Sequence, residues 1–330
     1  MKLIRPSYEI LEQGPGIQGV YEMIERCGKT SYKSDFKGGE FAKRFVETRT
    51  KEKHGAVLEF GTVYLFASIG EDAENAVEVL ELEHFYESNS FSKCIYRFTD
   101  ERDEYYITTN YRVLVENNRL DDLKYQCEPT EFHKKRYAVK FITDIGVGRE
   151  FLRHRVMSMV QESTRYVNYT KEKFGDECTF VIPSWITKEE VPEGDNIVFW
   201  DGDWCDIHNM KILREWNQDD PIDTWLFSLV SAERDYQVLI NKGWLPQQAR
   251  TVLPLSTKTE FVLCGFEDAW RHFFRLRSDI AATGKPHPQA QELANPLREE
   301  FIEKGYITRE SLEHEAFGQF DVVISDSDLK

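Results

Sequence analysis

The sequence predicts an α+β fold: a mixed β-sheet flanked by helices, in one domain spanning 1–330 that carries insertions. Three observations predict it. Short runs rich in β-branched and aromatic residues, at 62–66, 137–144 and 259–264, read as strands. Longer stretches, notably 17–29 and 224–241, place apolar residues at helical spacing. Hydrophobic residues are 41% of the 330, enough for a substantial core, and no Pro/Gly/Ser-rich linker divides the chain.

Taken in order, Ile17, Val20, Tyr21, Ile24 and Cys27 define an opening helix that Gly28 stops, and 41–53 reads as a second helix. The segment His54-Gly55-Ala56-Val57-Leu58-Glu59-Phe60 leads into the strand 62–66. Residues 70–136 are expected to form an insertion within the domain. Within it, 104–117 reads as a strand paired with 94–98 across the charged turn 99–103, and 120–133 reads as loop. The stretch 137–144 alternates like a half-buried strand, Gly146 and Gly148 break it, and an arginine-rich helix is expected to follow. A strand at 178–182 ends at Pro183. Residues 188–206, acidic and aromatic with Trp200 and Trp204, read as a surface excursion without chemistry. Leu226, Leu229, Val230, Glu233, Tyr236 and Ile240 mark an amphipathic helix stopped by Gly243. A strand at 259–264, a helix at 268–277, an extra loop at 281–285 and a helix opening at 287–293 complete the chain. The tail from Phe317 is polar and expected to be mobile.

Charge narrows the function. Asp and Glu number 58 against 42 Lys and Arg, a formal net charge of -16, which argues against a general nucleic-acid binder. A small anion held in a local basic pocket fits better. No apolar run approaches the ~18 to 20 residues of a membrane span, and the opening residues lack a signal-peptide apolar core. The expected location is cytoplasmic. The six cysteines (27, 94, 127, 178, 205, 264) are scattered without a Cys-x-x-Cys pair. They read as reduced thiols, with neither a zinc framework nor a disulfide one.

The basic residues concentrate in 149–166, where Arg149, Arg153, His154, Arg155 and Arg165 fall close together. Consecutive basic residues cannot all share one helix face, so some must point into the fold or a site. Seven residues separate Arg155 from Ser163, and Thr164, Arg165 and Tyr166 follow. Guanidiniums beside hydroxyls suit phosphate, because Arg offers a planar fork of donors. A solvated helix face is the plain alternative. A strand, a glycine turn and a helix start would also favour an anion, although Gly146-x-Gly148 can equally be a simple turn.

Arg153-His154-Arg155, seven residues, then Ser163-Thr164-Arg165-Tyr166 resembles the signature of the flavin-dependent thymidylate synthases (ThyX). Three further blocks occur in that family's order. His54, Leu58 and Glu59 match part of a flavin-holding segment, with Ala56 at its hydroxyl position. Ala249-Arg250-Thr251-Val252-Leu253-Pro254 matches an Ala-Arg-x-x-Leu-Pro segment. Leu276-Arg277 and His287 to Leu293 match the last core helices. The resemblance covers 54–70 and 137–304.

It implies a ThyX-like fold and a methyltransferase that converts dUMP to dTMP. Methylenetetrahydrofolate would supply the carbon, FAD would carry electrons, and NADPH would reduce the flavin. The family's active site forms between subunits of a homotetramer, so the expected partners are these small molecules and further copies of the chain. By position, Arg277 would stabilise negative charge on the uracil ring. Arg153, Ser163, Thr164, Arg165 and Arg250 would hold the nucleotide, joined by Glu150, Gln161 and Arg277. His54, Ala56, Arg153, His154, Arg155, Gln161 and His272 would lie at the flavin. Arg271 reads as a solvated helix residue. Ser163 reads as a binding hydroxyl, since no neighbouring base activates it.

The chain departs from the family pattern at several points. Glu150 stands where Gln is usual, and Val160-Gln161 replaces an Asn-Glu pair. A carboxylate beside a phosphate repels it unless it is protonated or turned away. No cysteine follows a proline, so nothing supports the cysteine chemistry of the folate-only synthases. Two other readings stand beside the synthase one: a flavin enzyme adding a different one-carbon group to a pyrimidine nucleotide, and a non-catalytic nucleotide-binding homologue. A nucleic-acid-binding module built on the basic stretch is disfavoured by the net charge.

Overall fold

The computed structural model describes residues 1–31, 34–70, 73–165, 168–170, 177–281 and 284–313. Tyr166 and the tail from Phe317 lie outside the described residues, as do two positions of the 281–285 loop. The chain forms two compact units, Met1–Phe266 and Glu267–Lys330. The α+β class is as expected, with the strands divided among several sheets.

The sheet that matters for the site is antiparallel and four-stranded, in the order β2 (Ser7–Leu11), β6 (Arg136–Asp144), β12 (Lys258–Phe266), β7 (Ser158–Gln161). On β12, Phe261 faces Phe141 of β6 and Gln161 of β7. Side chains alternate between faces along each strand. One face presents Phe141 and Phe261, stacked with ring centroids 5.3 Å apart, and Phe151 packs edge-on against both. On the other face Ala138, Val262 and Cys264 pack with Met23 and Cys27 of α1 (Gly16–Thr30).

Phe151 ends α6 (Ile145–Phe151), and here the structure corrects the sequence reading. The glycines do not break the chain ahead of a helix; they lie within one. Asp144 caps it, its Oδ1 accepting from Val147 N at 2.7 Å. Gly148 packs closely on β12: a Cβ there would sit 3.1 Å from Thr259 Cγ2, a contact that Thr259 or α6 would have to yield to. The basic run is not helical. After α6, turns bury Phe151, His154 and Met157 while Arg153, Arg155 and Val156 stay exposed, and β7 follows.

A second antiparallel sheet, in the order β3 (Thr62–Ile69), β5 (Asp103–Asn110), β4 (Lys93–Phe98), confirms the hairpin expected across 99–103. The second strand ends earlier than its composition suggests. Asn110 accepts from Val113 N at 3.2 Å, and this cap turns 111–116 into α5 (Tyr111–Glu116). Within the expected insertion a helix, α4 (Ala76–Ser88), packs on this sheet through Val79, Leu82 and Tyr86. The expected loop holds a 3-10 turn, Leu120–Tyr125.

The stretch 188–206 is structural. β9 (Ile197–Trp200), β10 (Asp203–Asp206) and β11 (Lys211–Glu215) form an antiparallel meander. Trp204, 1% exposed, is core, packed in a cluster with Leu226, Leu229 and Tyr236 of α7 (Pro221–Asn241). Two strands near the start were not anticipated: β2, and β1 (Lys2–Ile4), which runs parallel to β8 (Thr179–Val181).

The second unit contains α9 (Glu267–Arg277), α10 (Pro288–Glu303) and α11 (Arg309–Glu313). Trp270 of α9 meets Phe301 of α10 at 5.1 Å between centroids. Arg271 is not a solvated residue. It pairs with Glu267 at 2.5 Å, and its side chain is 18% exposed. All six cysteines are free thiols. No helix among the described residues is long and apolar enough to cross a membrane.

Candidate functional site

A cavity of about 640 Å³ opens where three segments of the first unit meet. The first is the end of β7 and its continuation, which contributes Gln161, Glu162, Ser163, Thr164 and Arg165. The second is the turn after α8 (Pro246–Ala249), with Arg250, Thr251 and Leu253 to Leu255. The third is α6 with the adjoining part of β12, which adds Ile145, Arg149 and Thr259. The volume lies within the ~300–1,000 Å³ usual for small-molecule sites.

Each wall is fixed by the fold. Gln161 Nε2 donates to Thr259 Oγ1 at 3.0 Å, tying β7 to β12. Ser163 N donates to Ser31 O at 3.2 Å, tying the loop to the end of α1. Ser163 Oγ accepts from Arg165 N at 3.3 Å. Pro246 starts α8, and Leu245 N donates to Gln248 Oε1 at 2.8 Å, setting the turn that carries Arg250. Arg250 Nη1 then donates to Thr164 Oγ1 at 2.7 Å. Arg165 Nε and Nη2 each lie 3.4 Å from Gln247 Oε1.

The cavity is cationic. Arg149, Arg165 and Arg250 all line it and are exposed. Among the described residues, Arg149 and Arg250 have no carboxylate partner. In a chain this acidic, guanidiniums left without carboxylates create a place where an anion is favoured. Across the sheet from this cavity the polarity is mixed. Lys258 Nζ donates to Glu162 Oε2 at 2.8 Å and pairs with Glu260, which Lys140 meets at 2.7 Å. Burial alone would push the Glu260 carboxyl up, but Lys258 and Lys140 outweigh it and hold it at about 2. Burial, with the charge of Glu162 adding to it, pushes the nearby Tyr169 hydroxyl well above its usual range.

Of the positions expected at the site, the cavity gathers Gln161, Ser163, Thr164, Arg165 and Arg250. Glu150 is half-buried on α6 and outside the lining, so its carboxylate does not oppose an anion there. Arg153 and Arg155 project from the turns after α6, and His154 between them is 5% exposed. His154 therefore packs inside the chain. His54 and Ala56 are exposed at α3 (Gly55–Leu58). That region is held by Arg136, which donates to Glu59 O at 2.9 Å and to Ser158 Oγ at 3.0 Å. Arg277, half-buried, and His272, exposed, lie on α9 of the second unit.

Sequence reasoning gave no role to Arg149, Thr251 or Thr259. Arg149 was visible as one turn of helix before Arg153, but only the short α6 separates the two in direction. The donors at 153–155 suit a cofactor with a pyrophosphate, since two exposed guanidiniums stand within three residues. Ala56 offers such a group no hydroxyl.

The family model described as thymidylate synthase complementing protein matches residues 128–304. The chain is similar to a flavin-dependent thymidylate synthase of Thermosipho africanus (strain TCF52B). The two are 26% identical over 155 residues, 47% of this chain and 60% of that protein. A flavin-dependent thymidylate synthase of Thermosipho melanesiensis (strain DSM 12029 / CIP 104789 / BI429) is 25% identical over 170 residues, 52% of this chain and 66% of that protein. The chain thus spans less than two thirds of these relatives' lengths. Among solved structures it is similar to a UMP/dUMP methylase, PolB, from Streptomyces cacaoi bound with 5-Br dUMP. The TM-score is 0.41 and the identity 13%, over 95% of this chain and 96% of that one.

Proposed function

The chain belongs to the thymidylate synthase complementing protein family, and from that premise we propose that it is a flavin-dependent methyltransferase converting dUMP to dTMP. The observation that carries this reading is the cavity itself. Residues 161–165 and Arg250, taken from motifs far apart in the chain, line one space of nucleotide size with three guanidiniums. Arg165 and Arg250 take the phosphate, with Ser163 and Thr164 supplying hydroxyls. Gln161 faces the same space and can bond a polar edge of the base.

Arg277 is assigned to the uracil ring, where a guanidinium lowers the cost of negative charge as carbon 5 becomes a nucleophile. Arg153 and Arg155, with His54 and His272, are assigned to the flavin. When bound, FAD supplies the electrons that reduce the transferred carbon. Methylenetetrahydrofolate is the carbon donor and NADPH the reductant in this reading. It also makes the protein a cytoplasmic homotetramer and makes 70–136 an insertion in its domain.

The test is a visible spectrum of the purified protein mixed with FAD, before and after addition of dUMP. A bound-flavin band that shifts on adding dUMP is expected, followed by dTMP formation in an anaerobic assay with methylenetetrahydrofolate. A protein that binds no flavin would overturn the reading. Flavin binding without response to dUMP would favour a different nucleotide substrate.

A further inference from the structure

The sheet beneath the cavity has two polar faces, and Glu162 links them: the residue borders the cavity, but its carboxylate is turned to the other face. Gln161 and Thr259 bond each other on the cavity side. Their chain neighbours Glu162, Lys258 and Glu260 must point the other way, since side chains alternate along a strand. There the Lys258 and Glu162 side chains, 7% and 1% exposed, form a pair at 2.8 Å. Lys258 also pairs with Glu260, which Lys140 completes, so two lysines balance two glutamates. Glu162 N donates to Glu260 O at 2.7 Å, extending the ladder one residue past the end of β7.

Stability is a weak explanation for this pair. Buried ion pairs can often be replaced by apolar residues without loss, and their best-attested use is to specify register. Here one oxygen, Glu162 Oε1, is buried without any hydrogen-bond partner, so the carboxylate is kept despite incomplete satisfaction. Register is also where the risk lies. β7 is only four residues long, and a slip of one residue would exchange the faces of Gln161 and Glu162. It would bring a carboxylate to Arg149, Arg165 and Arg250.

We propose that Lys258 is a positioning residue that holds the Glu162 carboxylate on the far face of the sheet. It thereby keeps Gln161, Ser163 and Thr259 in the cavity wall and denies the arginines an internal anion. This rests on the reading of the cavity as the nucleotide pocket. Without Lys258, Glu162 is a buried, unpaired charge in the wall of a cationic cavity, and it competes with the nucleotide phosphate. Removing the carboxylate as well relieves that competition.

The experiment is titration of the full-length protein with dUMP, comparing wild type, K258M and K258M/E162Q, with thermal unfolding recorded for each. K258M should bind dUMP at least about tenfold more weakly, the cost of a competing anion in a desolvated site. The double variant should recover to within about threefold of wild type. A pair that was merely structural would lower the unfolding temperature without this recovery. Should K258M not fold, K258Q keeps a donor of similar length without the charge and carries the same expectation. K258M with wild-type affinity, or a double variant no better than the single, overturns the proposal. Wild-type protein that binds no dUMP overturns the nucleotide reading itself, and the proposal with it.

Discussion

Arg250 and Thr164, 86 positions apart in the chain, are joined by a 2.7 Å hydrogen bond from the guanidinium Nη1 to the hydroxyl Oγ1. With the Arg165 contacts to Gln247, the bond aligns the two segments that form opposite walls of the cavity. It also occupies one edge of the guanidinium, leaving its remaining donors for an anion.

Replacing Arg250 by Lys keeps the charge and loses the fork. The R250K variant should bind dUMP about tenfold or more weakly, because a compact ammonium cannot hold Thr164 and a phosphate together. Its unfolding temperature should be unchanged, since Arg250 is exposed. Calorimetric titration beside thermal unfolding checks both, and equal affinity would remove Arg250 from the site.

Arg149 lines the cavity without a carboxylate partner among the described residues. R149A should weaken nucleotide binding by about three- to tenfold and reduce its salt dependence, as loss of one cation near a phosphate does. Titrations at two ionic strengths read both effects. Unchanged salt dependence would place Arg149 away from the anion.

Gly148 sits where a Cβ would meet Thr259 Cγ2 at 3.1 Å and Phe261 Cε1 at 3.5 Å. G148A should therefore destabilise the protein by ~1–3 kcal/mol through overpacking of α6 on β12. Urea unfolding measures this. A neutral or stabilising result would show that α6 can shift outward freely.

The Glu260 carboxyl is held at about 2, below its ordinary 4.5. A folded value below the unfolded one means the stabilisation is present above about pH 4.5 and is lost as the pH falls towards about 2. A shift of that size is worth at most ~3 kcal/mol. E260Q should accordingly be less stable at neutral pH and lose less stability across that acid window. Unfolding free energies measured along the pH series test it; parallel curves for the two proteins would contradict it.

Much of the fold was legible locally. The 224–241 helix, the 137–144 strand and the hairpin across 99–103 all announce themselves through short-range periodicity. The failures have local causes of another kind. Asn110 and Asp144 act as caps, and one side-chain hydrogen bond at each overrides the strand-like or glycine-rich composition that follows. Trp204 reads as a surface aromatic beside acidic residues, yet the meander that buries it depends on strand pairing no window reveals.

For the site, the residue types and their order along the chain determined that an anion-binding cavity should exist, and which arginines belong to the motif. Guanidinium chemistry is a property of the side chain, so it can be read without coordinates. Tertiary structure alone decided which of those side chains share a space. It placed Arg250 against Thr164, added Arg149 and Thr259, left Glu150 outside the lining, and buried His154. It also turned the carboxylate of Glu162, a residue bordering the cavity, to Lys258, 96 positions away. The direction of a side chain in a strand depends on register, and register is set by partners distant in sequence.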